Sequence, residues 1–254
     1  MIHDQNTLDS LLRLALEAGD IIMKLYGGTL DVSRKEDRSP VTEADLAANQ
    51  YIVAGLRRLT PNTPIIAEEN VKQDIVEKGE AFWLVDPLDG TKSYIRGTGE
   101  FTVNIGRVEN GRTCWGVVYV PAKQELYYVD REGKARLRVA GATEDAVIQC
   151  RKTPQDGAVV VASTSHRTPE TDAFIETLPK VERLVPAASS MKFCLIARAE
   201  ADIYPRFGPT MEWDTAAGQA VLEAAGGRVE TPEGNLFRYG KPDYRNGNFI
   251  AYGA

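Results

Sequence analysis

Between Phe101 and Cys150 the chain is a succession of short β-rich apolar runs: Thr102–Val108, Cys114–Val120, Leu126–Val129, Ala135–Val139 and Val147–Cys150. Asn110-Gly111 and Glu132-Gly133 fall between runs, where such pairs reverse the chain into hairpins. The stretch therefore predicts a largely antiparallel sheet, and such a sheet needs an apolar cover on one face. The residues before it supply one. Leu8, Leu11, Leu12, Ala15, Ile22 and Leu25 fall on a helical stripe that ends at Gly27-Gly28. A second helix starts at Thr42, with Asp45 three residues on as in a capping box. Leu46, Ile52, Leu56 and Leu59 form its apolar face before Pro61.

Arg151-Lys152-Thr153-Pro154-Gln155-Asp156-Gly157 is polar and turn-rich, so the expected organisation is an N-terminal α+β subdomain over 1–150 and a C-terminal α/β subdomain over 151–254. In the second half, the runs Ala158–Ala162, Val181–Val185, Ala201–Tyr204 and Phe249–Tyr252 alternate with helical stretches at Pro169–Leu178, Ser190–Ala199 and Thr215–Ala225.

The chemistry gathers in short acidic segments. Asp86-Pro87-Leu88-Asp89-Gly90-Thr91 follows directly on the buried run Ala81–Val85. Pro87 fixes its own φ, and Asp89-Gly90 favours reversal, so two carboxylates can face one point. Hard oxygen ligands of this kind suit Mg²⁺, with Mn²⁺ as a substitute. Gly90 and Thr91 add a side-chain-free backbone and a hydroxyl suited to a phosphate. Alone, this segment reads equally well as a surface turn. Two further acidic segments tip the balance: Ile65-Ile66-Ala67 also ends in acid, at Glu68-Glu69, and Met211-Glu212-Trp213-Asp214 precedes a helix for which Asp214 reads first as the N-cap.

Bulk properties narrow the partners. A net charge of −6 over 254 residues argues against a nucleic-acid or anionic-membrane surface, so a phosphate ligand must be met by local cations or bound metal. Cys114, Cys150 and Cys194 are scattered and odd in number, which suits reduced thiols. With His3 and His166 as the only histidines, a histidine-rich zinc centre is excluded. No signal layout and no membrane-spanning run is present, so the expected location is cytoplasmic.

Taken together, the Glu-Glu strand end, Asp-Pro-x-Asp-Gly-Thr and the later Trp-Asp resemble the inositol monophosphatase superfamily of Mg²⁺-dependent, lithium-sensitive phosphatases. Lys35–Asp45 is similar to that superfamily's N-terminal signature, and the resemblance covers nearly the whole chain. It implies a layered αβαβα sandwich of the inositol-monophosphatase and fructose-bisphosphatase type. Ser189–Leu195 and Tyr204–Asp214 look most like the CysQ-type 3′(2′),5′-bisphosphate nucleotidase branch. Ser163–Arg167 is similar to that branch's nucleotide-side loop.

The resemblance implies roles for particular residues. Glu68, Asp86, the Leu88 carbonyl, Asp89 and Asp214 would hold two Mg²⁺ ions, or three. Asp45 and Thr91 would orient and deprotonate the attacking water, with Glu69 behind them, and Glu68 belongs to the same catalytic group. Gly90 and Thr91 would cradle the phosphate. His166, Ser189 beside Ser190, Lys192 and Arg206 would contact a phosphonucleotide. Four crowded carboxylates need such cations, since each like-charge pair at about 5 Å costs roughly 3 kcal/mol at an effective dielectric near 20. The implied activity is removal of the 3′-phosphate of adenosine 3′,5′-bisphosphate. An inositol or sugar phosphatase, or a silent phosphonucleotide sensor, are the alternatives. The resemblance is compatible with a monomer or a homodimer. Some relatives attach weakly to the inner face of a bacterial membrane, but nothing here resembles an anchor.

Overall fold

The computed structural model describes residues 2, 4–28, 32–34, 40–70, 80–163 and 167–254. Helix α1 (Gln5–Leu25) starts at Asp4, whose carboxylate accepts the Thr7 N–H at 2.8 Å. Strands β1 (Val32–Arg34) and β2 (Pro40–Thr42) pair as a small ribbon that runs into α2 (Glu43–Leu59). A mixed sheet follows, ordered β3 (Ile65–Ala67), β4 (Phe82–Asp89), β5 (Thr102–Glu109), β6 (Arg112–Val120), β7 (Glu125–Val129), β8 (Ala135–Val139) and β9 (Ala146–Val147). Every neighbouring pair is antiparallel except β3 with β4. The short helix α3 (Thr91–Ile95) interrupts it after β4.

The second sheet contains β10 (Ala158–Ser163), β11 (Val181–Ala187), β12 (Ile203–Arg206), β13 (Arg228–Glu230) and β14 (Phe249–Tyr252), in the order β11-β10-β12-β14-β13. It mixes parallel and antiparallel pairs. Helices α4 (Pro169–Thr177), α5 (Met191–Ala197) and α6 (Ala216–Ala224) complete the chain. Helices α1 and α2 cover one face of the first sheet, and α5 with α6 fill the space between the sheets. Helix α4 packs outside the second sheet through Phe174 and Ile175. These five layers are the expected αβαβα sandwich.

Several boundaries move, each for a tertiary reason. Of the run expected at Val147–Cys150, only Val147 lies in the strand, which begins at Ala146; the Ile148 N–H still bonds the Ala135 carbonyl, and the Cys150 N–H turns to the Ala225 carbonyl instead. The run expected at Ala201–Tyr204 begins at Ile203, since the Ala201 N–H bonds the Leu195 carbonyl at the end of α5. Leu46, placed on the apolar face of α2, is 46% exposed, while Ile52 and Leu56 are fully buried. It lies on the solvent face of α2 with Gln50, Ala54 and Arg57, whereas Ala44 and Ala48 beside it already face the core.

The central helix approaches the first sheet at backbone distance. Gly106 and Gly116 face one another on β5 and β6, and a Cβ built on Gly116 would lie 2.6 Å from the Ala217 carbonyl oxygen. One built on Gly106 would lie 2.8 Å from the Ala217 nitrogen. These glycines, opposed by Ala216, Ala217 and Ala220, let α6 settle against the strands and fix what precedes it. Gly116→Val should therefore destabilise the fold by about 1–3 kcal/mol through overpacking. Thermal unfolding by circular dichroism checks this; an unchanged Tm would show that the contact is not tight.

Candidate active site

Strand β4 carries its two aspartates across a bulge. Asp86 pairs with Asn104 and Asp89 with Thr102, so Pro87 and Leu88 together oppose one residue of β5. In a regular strand, residues three apart point to opposite faces. The extra residue brings Asp86 and Asp89 to the same one. Asp86 stabilises the bulge by accepting the Leu88 N–H at 3.0 Å. Gly90 then takes a left-handed conformation with φ of 94°, and a Cβ there would sit 2.8 Å from the Glu100 carbonyl oxygen.

Thr91, the first residue of α3, sits with its hydroxyl 3.2 Å from Asp45 Oδ1 and 3.2 Å from the Leu88 carbonyl oxygen. Asp45 also closes the expected capping box, accepting the Thr42 N–H at 2.8 Å and its hydroxyl at 2.5 Å through Oδ2. The α2 N-terminus and the β4 bulge are thereby joined through one buried carboxylate.

Asp214 does not cap α6 as expected; Thr215 occupies that position. Asp214 instead ends the 3₁₀ turn Glu212–Asp214 and reaches back to accept the Met211 N–H at 2.8 Å. Local sequence cannot separate these, because a carboxylate satisfies either N–H. Glu212 anchors the turn from a fully buried position, accepting the N–H groups of Gly240 and Lys241 and the Lys241 ammonium, each at 2.9 Å.

Glu68, Asp89, Gly90, Thr91, Ser189, Lys192, Arg206 and Asp214 line one cavity of about 370 Å³. Asp45 stands behind Thr91, while Asp86 and Leu88 are buried outside the lining. Glu69 lies in the 3₁₀ turn Glu68–Asn70. His166 lies outside the described residues, with Thr164 and Ser165, as do His3 and Lys35–Ser39.

Three contributors were given no role of their own from sequence, although Ser163 and Tyr204 open the segments Ser163–Arg167 and Tyr204–Asp214. Tyr204 lines the cavity with its ring 5.1 Å from Lys192 Nζ, and Ser163 lines it at the end of β10. Asn104 bonds Asp89 and Ser190 from within β5. An asparagine set between Val103 and Ile105 was the available signal for the last.

Charge is held here against its ordinary preference. Burial, then repulsion from Asp89 and Glu68, pushes the Asp214 carboxyl well above the usual carboxylate range. Burial also raises Asp89, opposed by the Lys192 ammonium and by hydrogen bonds from Ser190. Lys192 is pushed down to about 8 by burial, with Asp89 drawing it back up and Arg206 lowering it further. Arg206 is buried, with one nitrogen donating to the Pro209 carbonyl at 2.8 Å and its Nε unpartnered.

Among the described residues, no three acidic, histidine or cysteine side chains already converge as a metal cage. The donor chemistry nevertheless fits a hard divalent cation. The acidic lining is oxygen-only, and Asp89 and Asp214 sit where a charged carboxylate needs a compensating cation.

The model of the inositol monophosphatase family matches residues 4–253. The chain belongs to the inositol monophosphatase family. Members of this family are generally magnesium-dependent. The chain is 42% identical over 235 residues to the 3′(2′),5′-bisphosphate nucleotidase CysQ of Salmonella typhimurium, covering 91% of this chain and 93% of that one. The Escherichia coli K12 CysQ is 43% identical with the same coverage. Among solved structures, CysQ from Bacteroides thetaiotaomicron superposes with a TM-score of 0.81 at 35% identity, covering 98% and 97% of the two chains. An inositol monophosphatase from Thermotoga maritima gives 0.78 at 26% identity, covering 98% and 92%. No helix among the described residues is long and apolar enough to cross a membrane.

The raised Asp214 carboxyl has a consequence for stability. It binds its proton more tightly folded than unfolded, so its contribution is present below the ordinary value of 3.8 and is lost as pH rises through the raised folded range. In EDTA, the Tm of Asp214→Asn should exceed that of the parent by a margin that grows with pH above 3.8. Saturating Mg²⁺ should close that margin. Differential scanning calorimetry across pH checks this, and a pH-independent margin would contradict it.

Proposed function

We propose that this chain is a phosphomonoesterase that removes the 3′-phosphate of adenosine 3′,5′-bisphosphate, giving AMP and inorganic phosphate. The observation that carries the reading is a single cavity lined both by carboxylates suited to divalent metal and by buried cations suited to a second phosphate. The family membership and the CysQ relatives support it. An inositol monophosphate has one phosphate, so it would leave Arg206 and Lys192 without a second phosphate to bind.

Glu68, Asp86, the Leu88 carbonyl, Asp89 and Asp214 would hold two magnesium ions, with a third at a weaker position and Mn²⁺ as a substitute. When bound, the metal supplies Lewis acidity toward the attacking water and the phosphoryl oxygens. The chain does the rest. The Thr91 hydroxyl accepts a hydrogen bond from the attacking water and passes its own proton toward Asp45 Oδ1, 3.2 Å away. Water oxygen bonds to phosphorus as the bond to the ribose 3′-oxygen breaks, and that oxygen leaves with a proton from solvent. The turn backbone at Gly90 and Thr91 orients the transferred phosphate. Arg206 offers a fork and Lys192 a point charge to the other phosphate. His166 and Ser189 complete the nucleotide contacts. We read residues 1–150 and 151–254 as two subdomains, one sheet from each, with the substrate between them.

Three outcomes are expected. In a phosphate-release panel with Mg²⁺, Mg²⁺ plus Li⁺, and EDTA, the bisphosphate should be turned over far faster than inositol 1-phosphate. Li⁺ should inhibit, and EDTA should abolish release. Comparable turnover of both substrates would favour a general sugar phosphatase, and tight binding without release would favour a sensor. Arg206→Ala should lower kcat/KM for the bisphosphate by about 100-fold or more while changing a monophosphate substrate by less than about threefold. Thr91→Ala should lower kcat by about 100-fold or more with KM nearly unchanged, read by the same assay.

A further inference from the structure

Asn104 has none of its surface exposed, and its strand neighbours Val103 and Ile105 are apolar and equally buried. Its Nδ2 donates to Ser190 Oγ at 2.9 Å and lies 3.4 Å from Asp89 Oδ2, while its Oδ1 has no partner. Ser190 is itself 1% exposed. Its hydroxyl donates to the Asp214 carbonyl at 2.7 Å, and its backbone N–H donates to Asp89 Oδ2 at 2.6 Å. One residue therefore bonds both members of the acidic pair.

The direction of this chain is fixed by the donor inventory. A serine hydroxyl has one proton, and an amide N–H already fills an acceptor position on Oγ, so that proton is committed to the Asp214 carbonyl. Turning the Asn104 amide over would set its oxygen against the Asp89 carboxylate. The preceding residue, Ser189, holds a left-handed φ of 55°, and its carbonyl accepts the Lys192 ammonium at 2.6 Å. The Ser189–Ser190 peptide thus spans from Lys192 at its oxygen to Asp89 at its nitrogen. A packing role alone would be filled better by an apolar side chain than by an amide with an orphaned oxygen.

We propose that Ser190, held by Asn104, is the positioning residue that locks Asp89 and Asp214 into one acidic pair and thereby sets the affinity of the site for magnesium. The inference rests on the reading of those aspartates as metal ligands. Partners that orient a ligand commonly change metal affinity by about 10- to 100-fold when removed.

The test is a thermal-shift titration of Mg²⁺ into the EDTA-stripped full chain, for the parent, Ser190→Ala, Asn104→Ala and the double variant. Each single substitution should raise the Mg²⁺ concentration for half-maximal stabilisation by about 10-fold or more. The double variant should lose less than the product of the two single losses, because Asn104 acts mainly through Ser190 and its direct bond to Asp89 is the longer one. A midpoint within twofold of the parent would overturn the inference even where the metal-free Tm falls, since that pattern marks a structural role. A multiplicative loss in the double variant would also overturn the single chain of bonds. A parent that shows no Mg²⁺ shift would overturn the metal reading itself, and this inference with it.

Discussion

Two carboxylates that repel one another, Asp89 and Asp214, have to be held on one cavity wall although they come from opposite halves of the chain. The fold is arranged around that requirement. The bulge in β4 turns Asp89 onto the same face as Asp86. The backbone-close seating of α6 on Gly106 and Gly116 fixes the turn that carries Asp214. Glu212, buried and bonded to the Gly240–Lys241 backbone, anchors that turn from behind. Neither acid could keep its place on local structure alone, because burial raises the cost of charge at both and repulsion from Asp89 and Glu68 adds to it at Asp214.

The same cavity places cations beside acids, which gives a chain of net charge −6 local positive charge at the site. Lys192 and Arg206 are buried, so each keeps a strong field in a poorly screened space. Thr91 and Asp45 meet the acidic wall where the α2 capping box touches the β4 bulge. A helix cap, ordinarily a stability device, here contributes a carboxylate at hydrogen-bonding distance from a hydroxyl that faces the cavity.

Much of this was legible in the sequence because it rests on short-range chemistry. Asp-Pro-Leu-Asp-Gly-Thr signals its turn through proline and glycine, and Thr42 with Asp45 signals a helix start. The hairpins after Phe101 follow from turn pairs and alternation. What could not be read depends on contacts between distant segments. The bulge register and the transfer of the Cys150 N–H to Ala225 are settled by neighbours remote in sequence, while Asp214 reaching back to Met211 is a local bond that the sequence could not tell from a helix cap. Asn104 lay in plain view inside an apolar strand, yet its meaning needs Ser190, which only the folded chain brings to it.

Convergence of acidic side chains around divalent ions is tested most directly by counting those ions. Electron paramagnetic resonance of Mn²⁺ titrated into the metal-free chain should give two bound ions per molecule, with at least one lost in Asp214→Asn. Free Mn²⁺ signal undiminished by the parent chain, or an ion count unchanged by the substitution, would contradict the account.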